Sequence, residues 1–324
     1  MQQQTDKRSA QLDFVQRFAV EHQSVRGQFV RLGPAWLALR EHADYPEPVR
    51  RLLGEAVSAA VLLASTLKFE GELTLQLQGD GAVRLLVAQC THDFRVRGVA
   101  RFDRARAETA ADFAALAGSG TVVVTVEANR LGSRYQGIVP INGGSLAVSL
   151  EHYFESSEQL PTSVVLSADD YGAAGLLVQR MPDHGGVVGG VATSAGADDA
   201  TAATHRRLEA DRTFAAATAA IASVEADELL VRPPEELMRR SFAGLDLRVH
   251  ESHPVEFRCR CSAERVTGML RSLGAAEVES ILAEQGAVTV TCEFCHRPWR
   301  FDAVDASRIF GEAVDQHPGS DAVN

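Results

Sequence analysis

The spacing of apolar residues changes from helical to strand-like near Gly71. Residues 10–67 are predicted to be mostly helical after a short strand, although residues 24–32 alternate around Gly27 as a strand does. Residues 45–69 begin with prolines and continue with apolar residues at helical spacing, which predicts one long helix. From Gly71 onward the apolar period becomes two, which is typical of strands.

A series of strands is predicted after this change. Residues 72–90 alternate on both sides of Asp80-Gly81, which predicts a hairpin with that dipeptide at its turn. Helical spacing returns at residues 145–161. The other strand candidates are residues 93–102, 121–128, 134–141, 162–168 and 174–182. Residues 1–182 are therefore predicted to form an α+β domain with an antiparallel-rich sheet and helices.

The composition changes abruptly after this domain. Residues 183–204 are rich in Gly, Ala, Ser, Thr and Asp, as flexible linkers are. Residues 206–230 have helical spacing but few large apolar side chains, and Pro233-Pro234 begins another short helix. A helix that buries little belongs at the low-stability end of a structure. We therefore expect a flexible and helical linker over residues 183–245, followed by a small C-terminal domain over residues 246–324.

Composition and charge exclude two classes of partner. The net charge of −11 offers no basic surplus for binding nucleic acid by phosphate neutralisation. The N-terminus has no apolar core of signal-peptide type, and the most apolar stretch, residues 56–67, is shorter than the roughly 20 residues of a membrane span. We expect a cytoplasmic protein without a membrane partner. Thiols stay reduced in that compartment, so clustered cysteines there indicate metal or redox chemistry.

Four of the five cysteines lie in two close pairs near the C-terminus. The pattern is Cys259-x-Cys261, thirty intervening residues, and then Cys292-x-x-Cys295. Four thiolates in two pairs match a tetrahedral Zn²⁺ site, so one zinc ion per chain is predicted. The alternative is four unconnected thiols. Spacing does not decide between a permanent structural site and a redox-responsive one, although a disulfide across one residue closes a strained ring that is readily reduced.

The residues around the pairs favour a folded zinc unit. Ser262 is a predicted N-cap for the first of two short helices, and Gly286 lies where the second helix should end. Residues 287–290 and 298–301 are predicted strands on either side of the second cysteine pair, with Trp299 and Phe301 packed beneath this hairpin. A unit of some 60–70 residues has a marginal core, whereas structural zinc contributes roughly 10–16 kcal/mol in small peptides. Oxidation of either pair would remove two ligands and should unfold the unit.

The sequence resembles the 33-kDa chaperonin family, the redox-regulated heat-shock holdases of bacteria. The likeness runs in the same order from about residue 12 to residue 310. It is carried near the C-terminus by FRCRCSAER, SILAEQG and CEFC, and in the first domain by SVRG, HADYPEPV, LKFEGELTLQLQGDG, RGVAR, RYQGIV, EHYFESSEQLPT and LLVQRMP.

The resemblance implies a non-enzymatic, ATP-independent chaperone with no catalytic residues. In the reduced, largely inactive state the four cysteines hold zinc. Oxidation forms the Cys259–Cys261 and Cys292–Cys295 disulfides, releases zinc and unfolds the middle segment, so that residues 183–245 are a metastable, redox-sensitive linker. Exposed apolar surface then binds unfolding client proteins, and the oxidised chain forms a homodimer. Residues 183–204 depart from the family because this stretch looks longer than the usual linker.

Other residues invite functional interpretations that we weigh against simpler ones. Cys90 ends a strand and is expected to be a half-buried core thiol. His250 and His253 precede the first cysteine pair, but four cysteines already fill a zinc site. His296 can compete as a ligand, although a solvent-facing position is favoured. The QGDG sequence at 78–81 lacks the Lys of a phosphate loop and is interpreted as a hairpin turn.

Two other functions compete with the holdase. A zinc-ribbon nucleic-acid-binding protein or transcription regulator is disfavoured because Arg residues mix with Glu and Asp around residues 255–305, leaving no basic patch. A zinc enzyme is disfavoured because four sulfur ligands leave no open coordination position for water or substrate.

Overall fold

The structure, a computed structural model, describes residues 13–41, 43–128, 134–142, 144–182 and 197–311. The chain divides into two compact units, Met1–Arg258 and Cys259–Asn324. Most of the predicted Gly-rich linker, residues 183–196, lies outside the described residues. Among the helices that are described, none is both long enough and apolar enough to cross a membrane.

A five-stranded sheet of the first unit has the order β10-β1-β2-β9-β8, and all its pairs are antiparallel. Its strands are β1 (Phe14–Val20), β2 (Val25–Leu32), β8 (Thr162–Ala168), β9 (Ala173–Arg180) and β10 (Leu247–Pro254). The strand predicted at residues 24–32 is therefore confirmed. Residues 10–67 are less helical than expected because β1 and β2 form a hairpin before the first helix.

A six-stranded sheet has the order β11-β5-β4-β3-β6-β7. Its strands are β3 (Gly71–Gly79), β4 (Val83–Thr91), β5 (Arg95–Phe102), β6 (Gly120–Ala128), β7 (Arg134–Pro140) and β11 (Glu256–Phe257). The predicted hairpin is confirmed, because β3 pairs with β4 across the Asp80-Gly81 turn. Only the short pairing of β11 with β5 is parallel. The antiparallel-rich α+β class predicted from the sequence is confirmed.

The described part of the first domain contains one long helix and four shorter ones. They are α1 (Pro34–Arg40), α2 (Glu47–Thr66), α3 (Arg104–Glu108), α4 (Phe113–Ala117) and α5 (Leu146–Tyr153), which continues into a π-helical turn at Phe154–Glu158. Fourteen of the twenty α2 residues are buried, so α2 is enclosed on most sides. Its apolar side chains join those of both sheets in a single cluster, which we call the main core; Val30 of β2 and Leu75 of β3 are examples.

Residues 197–245, here called the middle segment, contain three helices. They are α6 (Ala197–Ala222), α7 (Ala226–Val231) and α8 (Pro234–Ser241). Their apolar side chains pack on the face of the five-stranded sheet opposite the main core, and we call this contact the shared core. The sheet contributes Phe18, Val20, Val25, Phe29, Ala174, Leu176 and Val178, and the middle segment contributes Ala217, Ile221, Val224, Leu229, Leu230, Leu237, Met238 and Phe242.

The boundary of the first unit differs from the predicted one. β10 pairs with β1, β11 pairs with β5, and Val255 between them is buried in the main core. The first unit therefore includes residues 246–258, which were assigned to the C-terminal domain from the sequence. The physical reason is that β1 and β5 are open sheet edges, which accept a strand through backbone hydrogen bonds whatever its apolar pattern.

The second unit is small and contains the elements that were predicted around the cysteines. They are α9 (Ala263–Leu273), α10 (Ala275–Gln285), β12 (Val288–Thr291), β13 (Pro298–Phe301) and α11 (Ala303–Gly311). In the described part of this unit seven buried apolar residues form the core, which we call the zinc-unit core: Val266, Leu270, Val278, Val288, Phe301, Ala306 and Ile309.

Candidate metal centre

The first cysteine pair is followed by a well-capped helix. The Ser262 hydroxyl accepts a hydrogen bond from the Arg265 N–H at 3.3 Å, which confirms the predicted N-cap of α9. The α10 helix ends at Gly286, whose φ of 72° lies in the left-handed region and whose N–H donates to the Leu282 carbonyl. The two helices fold back on each other, so the thirty residues between the cysteine pairs form a compact insert.

The second cysteine pair lies in the turn of the β12–β13 hairpin. Thr291 pairs with Pro298 at the end of the ladder, directly before and after the turn. The Cys292 N–H donates to the Arg297 carbonyl, and the His296 N–H donates to the Cys292 carbonyl at 2.8 Å. These bonds fix a tight turn that directs both thiols to the same side. Trp299 and Phe301 pack with the zinc-unit core, as expected from the sequence.

The four thiols form one cluster. The sulfur atoms of Cys259 and Cys292 lie 3.6 Å apart, and those of Cys261 and Cys295 lie 3.5 Å apart. All four ligand atoms lie within 4.8 Å of one another. A tetrahedral zinc ion with Zn–S bonds near 2.3 Å places its sulfur atoms about 3.8 Å apart. The geometry therefore fits a four-thiolate zinc site.

The electrostatics of the cluster also favour a cation. Burial, together with the three neighbouring thiols, raises the pKa of Cys295 to about 12, and burial likewise raises the pKa of Cys261. Burial acts in the same direction on Cys292, but backbone N–H groups of Cys295 and Phe294 hold its pKa below the usual range. Four neighbouring thiols do not all ionise unaided, because like charges repel. A divalent cation removes this obstacle by stabilising every thiolate it binds.

Comparison with known proteins identifies the family. The family model described as Hsp33 protein matches residues 13–302, most of the chain. The chain belongs to the Hsp33 family. A 33 kDa chaperonin from Ectopseudomonas mendocina is 39% identical over 308 residues, covering 94% of this chain and 98% of the relative. A 33 kDa chaperonin from Azotobacter vinelandii is 39% identical over 299 residues, covering 92% and 94% of the two chains.

A solved Hsp33 structure has the same fold. The crystal structure of the 33 kDa chaperonin from Thermotoga maritima aligns with a TM-score of 0.76 and covers 94% of this chain and 100% of that chain. The two sequences are 22% identical, so this likeness supports the fold. The family resemblance expected from the motifs is therefore confirmed, and the protein is a member of a chaperone family.

The remaining candidate residues lie apart from the thiol cluster. His250 and His253 are exposed on β10, and the cluster that the structure identifies as able to hold a metal does not include them. His296 is exposed, as predicted, with a left-handed φ of 50°. Cys90 is fully buried, so the expected half-buried position is wrong. Its side chain lies on the face of β4 that packs into the main core, and burial strongly raises the pKa of this thiol.

Arg31 is a functional candidate that no signal in the sequence marks. Arg31 is buried on β2, and its guanidinium donates to the carbonyl oxygens of Leu229 at 2.7 Å and Arg232 at 2.6 Å. Burial lowers its pKa to about 10, so the group stays charged at neutral pH. It ties the end of α7 to the sheet. The strand pattern of β2 predicts where Arg31 points, but its partners lie about 200 residues away along the chain.

Proposed function

We propose that this Hsp33 protein is a redox-regulated holdase that acts without ATP and without catalysing a reaction. In the reduced state one Zn²⁺ is held by Cys259, Cys261, Cys292 and Cys295. Oxidation forms the Cys259–Cys261 and Cys292–Cys295 disulfides, a pairing taken from the family resemblance. The observation that carries the proposal is the gathering of four thiols within 4.8 Å of one another in a unit whose described residues form a small core.

Disulfide formation removes the metal for a chemical reason. Two thiolates transfer two electrons to a peroxide, which takes up two protons and leaves as two molecules of water, and one S–S bond forms. Sulfur in a disulfide no longer carries the negative charge that holds zinc. The zinc-unit core then lacks its cross-link, and because it is small, the unit unfolds.

The shared core supplies the surface that clients would bind. Its sheet side includes Phe18 and Phe29, which are fully buried while α6 to α8 cover them. Among the described side chains, each of the three covering helices contributes two buried apolar residues to the shared core, and Leu208 of α6 is 53% exposed. In this proposal residues 1–182 bind clients, residues 183–245 are the redox-sensitive linker, and its release exposes an apolar sheet face. We place the oxidised chain in a homodimer and the protein in the cytoplasm.

The test is to measure zinc content and aggregation of a heat-denatured client before and after treatment with peroxide. We expect one zinc per reduced chain, release of zinc on oxidation, and suppression of aggregation without ATP by the oxidised protein only. Cys90→Ala is the matched control because that thiol lies outside the cluster and Ala adds no polar group to the main core, so this variant should retain zinc and the response to peroxide. Equal suppression by the reduced and oxidised proteins would contradict the proposal.

A further inference from the structure

β10 is weakly anchored in the five-stranded sheet. None of its eight residues is buried, whereas seven of the eight residues of β2 are. Its pairing with β1 also shifts register between Gln16 and Phe18. The attachment consists of backbone pairing and a few side-chain contacts, such as the Gln16 amide donating to the His250 carbonyl at 3.2 Å. Removing β10 therefore exposes little apolar surface, and such elements are the first to open.

β1, the partner of β10, is by contrast an apolar strand. Phe18 and Val20 belong to the shared core, on the face that the middle segment covers. The Phe18 ring lies 5.3 Å from the ring of Phe242, which follows α8. Val15 points to the opposite face and joins the main core. β1 thus stays anchored through its neighbour β2 and through the main core when its other contacts are removed.

Both covers of β1 belong to one continuous stretch of chain. Helices α6 to α8 cover its face, and β10 covers its edge, starting only six residues after α8 ends. The Glu21 N–H donates to the Asp246 carbonyl at 2.8 Å, so the connection between the two covers is itself attached at the end of β1. When the middle segment leaves the sheet, the stretch of chain directly before β10 no longer holds the N-terminal end of β10 in place. Its departure opens a row of unpaired backbone groups beside Phe18.

We infer that the edge of β1, once freed of β10, accepts extended segments of unfolding proteins as an added strand. This inference rests on the function proposed above and specifies how clients are held. An open edge gives backbone hydrogen bonds to any sequence, and the adjacent apolar strip favours segments with alternate apolar side chains. Unfolded chains offer such segments in many sequences, so one edge serves many clients.

The occupant is a client rather than β10 of a second copy. β10 has the sequence LRVHESHP, in which polar and charged residues dominate, and its Val249 is 48% exposed although it lies opposite Phe18. A second copy would bring the same polar strand and would bury no more apolar surface than β10 does now. A client strand with a larger apolar residue in the place of Val249, and an apolar residue in the place of Ser252 opposite Gln16, gains burial that β10 does not provide.

Hydrogen exchange of the β1 amides tests the inference. In an antiparallel strand, alternate residues direct their N–H groups to opposite neighbours, so β1 contains its own control. The amides that face β2 should stay protected in every state. The amides that face β10 should exchange faster by at least roughly tenfold after oxidation, and should slow again when chemically unfolded luciferase is bound. The luciferase complex is measured by residue-resolved mass spectrometry on the full chain.

Each outcome decides the matter. The pattern of alternate amides just described supports the inference. If the β10-facing amides stay slow after oxidation, β10 does not leave and the inference is wrong. If they stay fast in the luciferase complex, clients bind the sheet face alone, which also overturns it. If they slow with rising protein concentration and without luciferase, a second copy is the occupant. Failure of the proposed function is distinct, because luciferase would then aggregate with the oxidised protein present.

Discussion

Truncation of Leu229 should make the reduced protein partly active. Leu229 is fully buried in the shared core, and its side chain belongs to the middle segment. Replacing a buried Leu by Ala typically costs 2–5 kcal/mol, and about 3 kcal/mol corresponds to a roughly 100-fold shift in an equilibrium. If the middle segment leaves the sheet as a unit, Leu229→Ala increases its released population by this factor. The zinc ligands are untouched, so the reduced variant should still bind one zinc.

Two matched substitutions separate release of the segment from general destabilisation. Leu208→Ala removes a side chain that is 53% exposed on α6 of the same segment, so it should change little. Leu53→Ala removes an equally buried Leu from α2 in the main core. It should lower the free energy of global unfolding by a similar 2–5 kcal/mol without selectively releasing the middle segment.

Limited trypsin digestion of the reduced proteins is the first assay. The middle segment contains many Arg residues, and α6 alone contains Arg206, Arg207 and Arg212. Leu229→Ala should be cut there first, and the same preparation should suppress aggregation of a heat-denatured client without oxidant. If reduced Leu229→Ala is as resistant to trypsin and as inactive as the unmodified chain, the shared core does not hold the protein in its inactive state and the reasoning is refuted.

Four further outcomes are expected. Cys295→Ser should lower zinc retention, whereas unchanged metal content would remove that residue from the ligand set. Chelation of zinc should accelerate amide exchange in α9 and α10, because seven buried residues make a marginal core. Burial raises the pKa of Glu55 from 4.5 to about 7. The protonated carboxyl therefore contributes stability that is fully present below pH 4.5 and is lost as pH rises through 7. Urea unfolding curves of Glu55→Gln should lack this decrease in stability between pH 4.5 and 7. Asp13 accepts the Gly33 and Ala35 N–H groups at 2.7 and 2.8 Å, so Asp13→Ala should cost about 1–2 kcal/mol in the same assay.

Elements with a local signal could be predicted from the sequence. The alternation of residues 72–90 and the Asp80-Gly81 turn predicted the β3–β4 hairpin, because period and turn chemistry both act over a few residues. The α2 helix was predicted by the same kind of signal. The metal centre was also accessible, since two close cysteine pairs restrict the possible sites strongly. The sulfur–sulfur distances between the two cysteine pairs could not be predicted, because they depend on how α9 and α10 fold back.

Features that depend on distant partners could not be predicted. The apolar alternation of β10 is confined to Leu247 and Val249, and the position of the strand follows from the open edge of β1, more than 200 residues earlier in the chain. The depth of Cys90 was underestimated because its position at the end of β4 was judged locally, whereas its burial depends on the main core around it. Leu208 is one of the few large apolar residues within residues 206–230, yet it is exposed; helical spacing gives the direction of a side chain but not whether a neighbour covers it.

The alternation of side chains along β2 explains how one sheet can serve both stability and the client binding that we propose. Phe29 belongs to the shared core, and the next residue, Val30, belongs to the main core, because successive side chains of a strand point to opposite faces. Loss of the middle segment removes the part of the shared core that covers Phe29 but leaves the contacts of Val30 and of the buried α2 helix. The main core therefore keeps the sheet folded while the opposite face of the sheet becomes exposed. A binding surface of this kind needs no folding step of its own, so the free energy of its exposure is set by the docking of the middle segment alone.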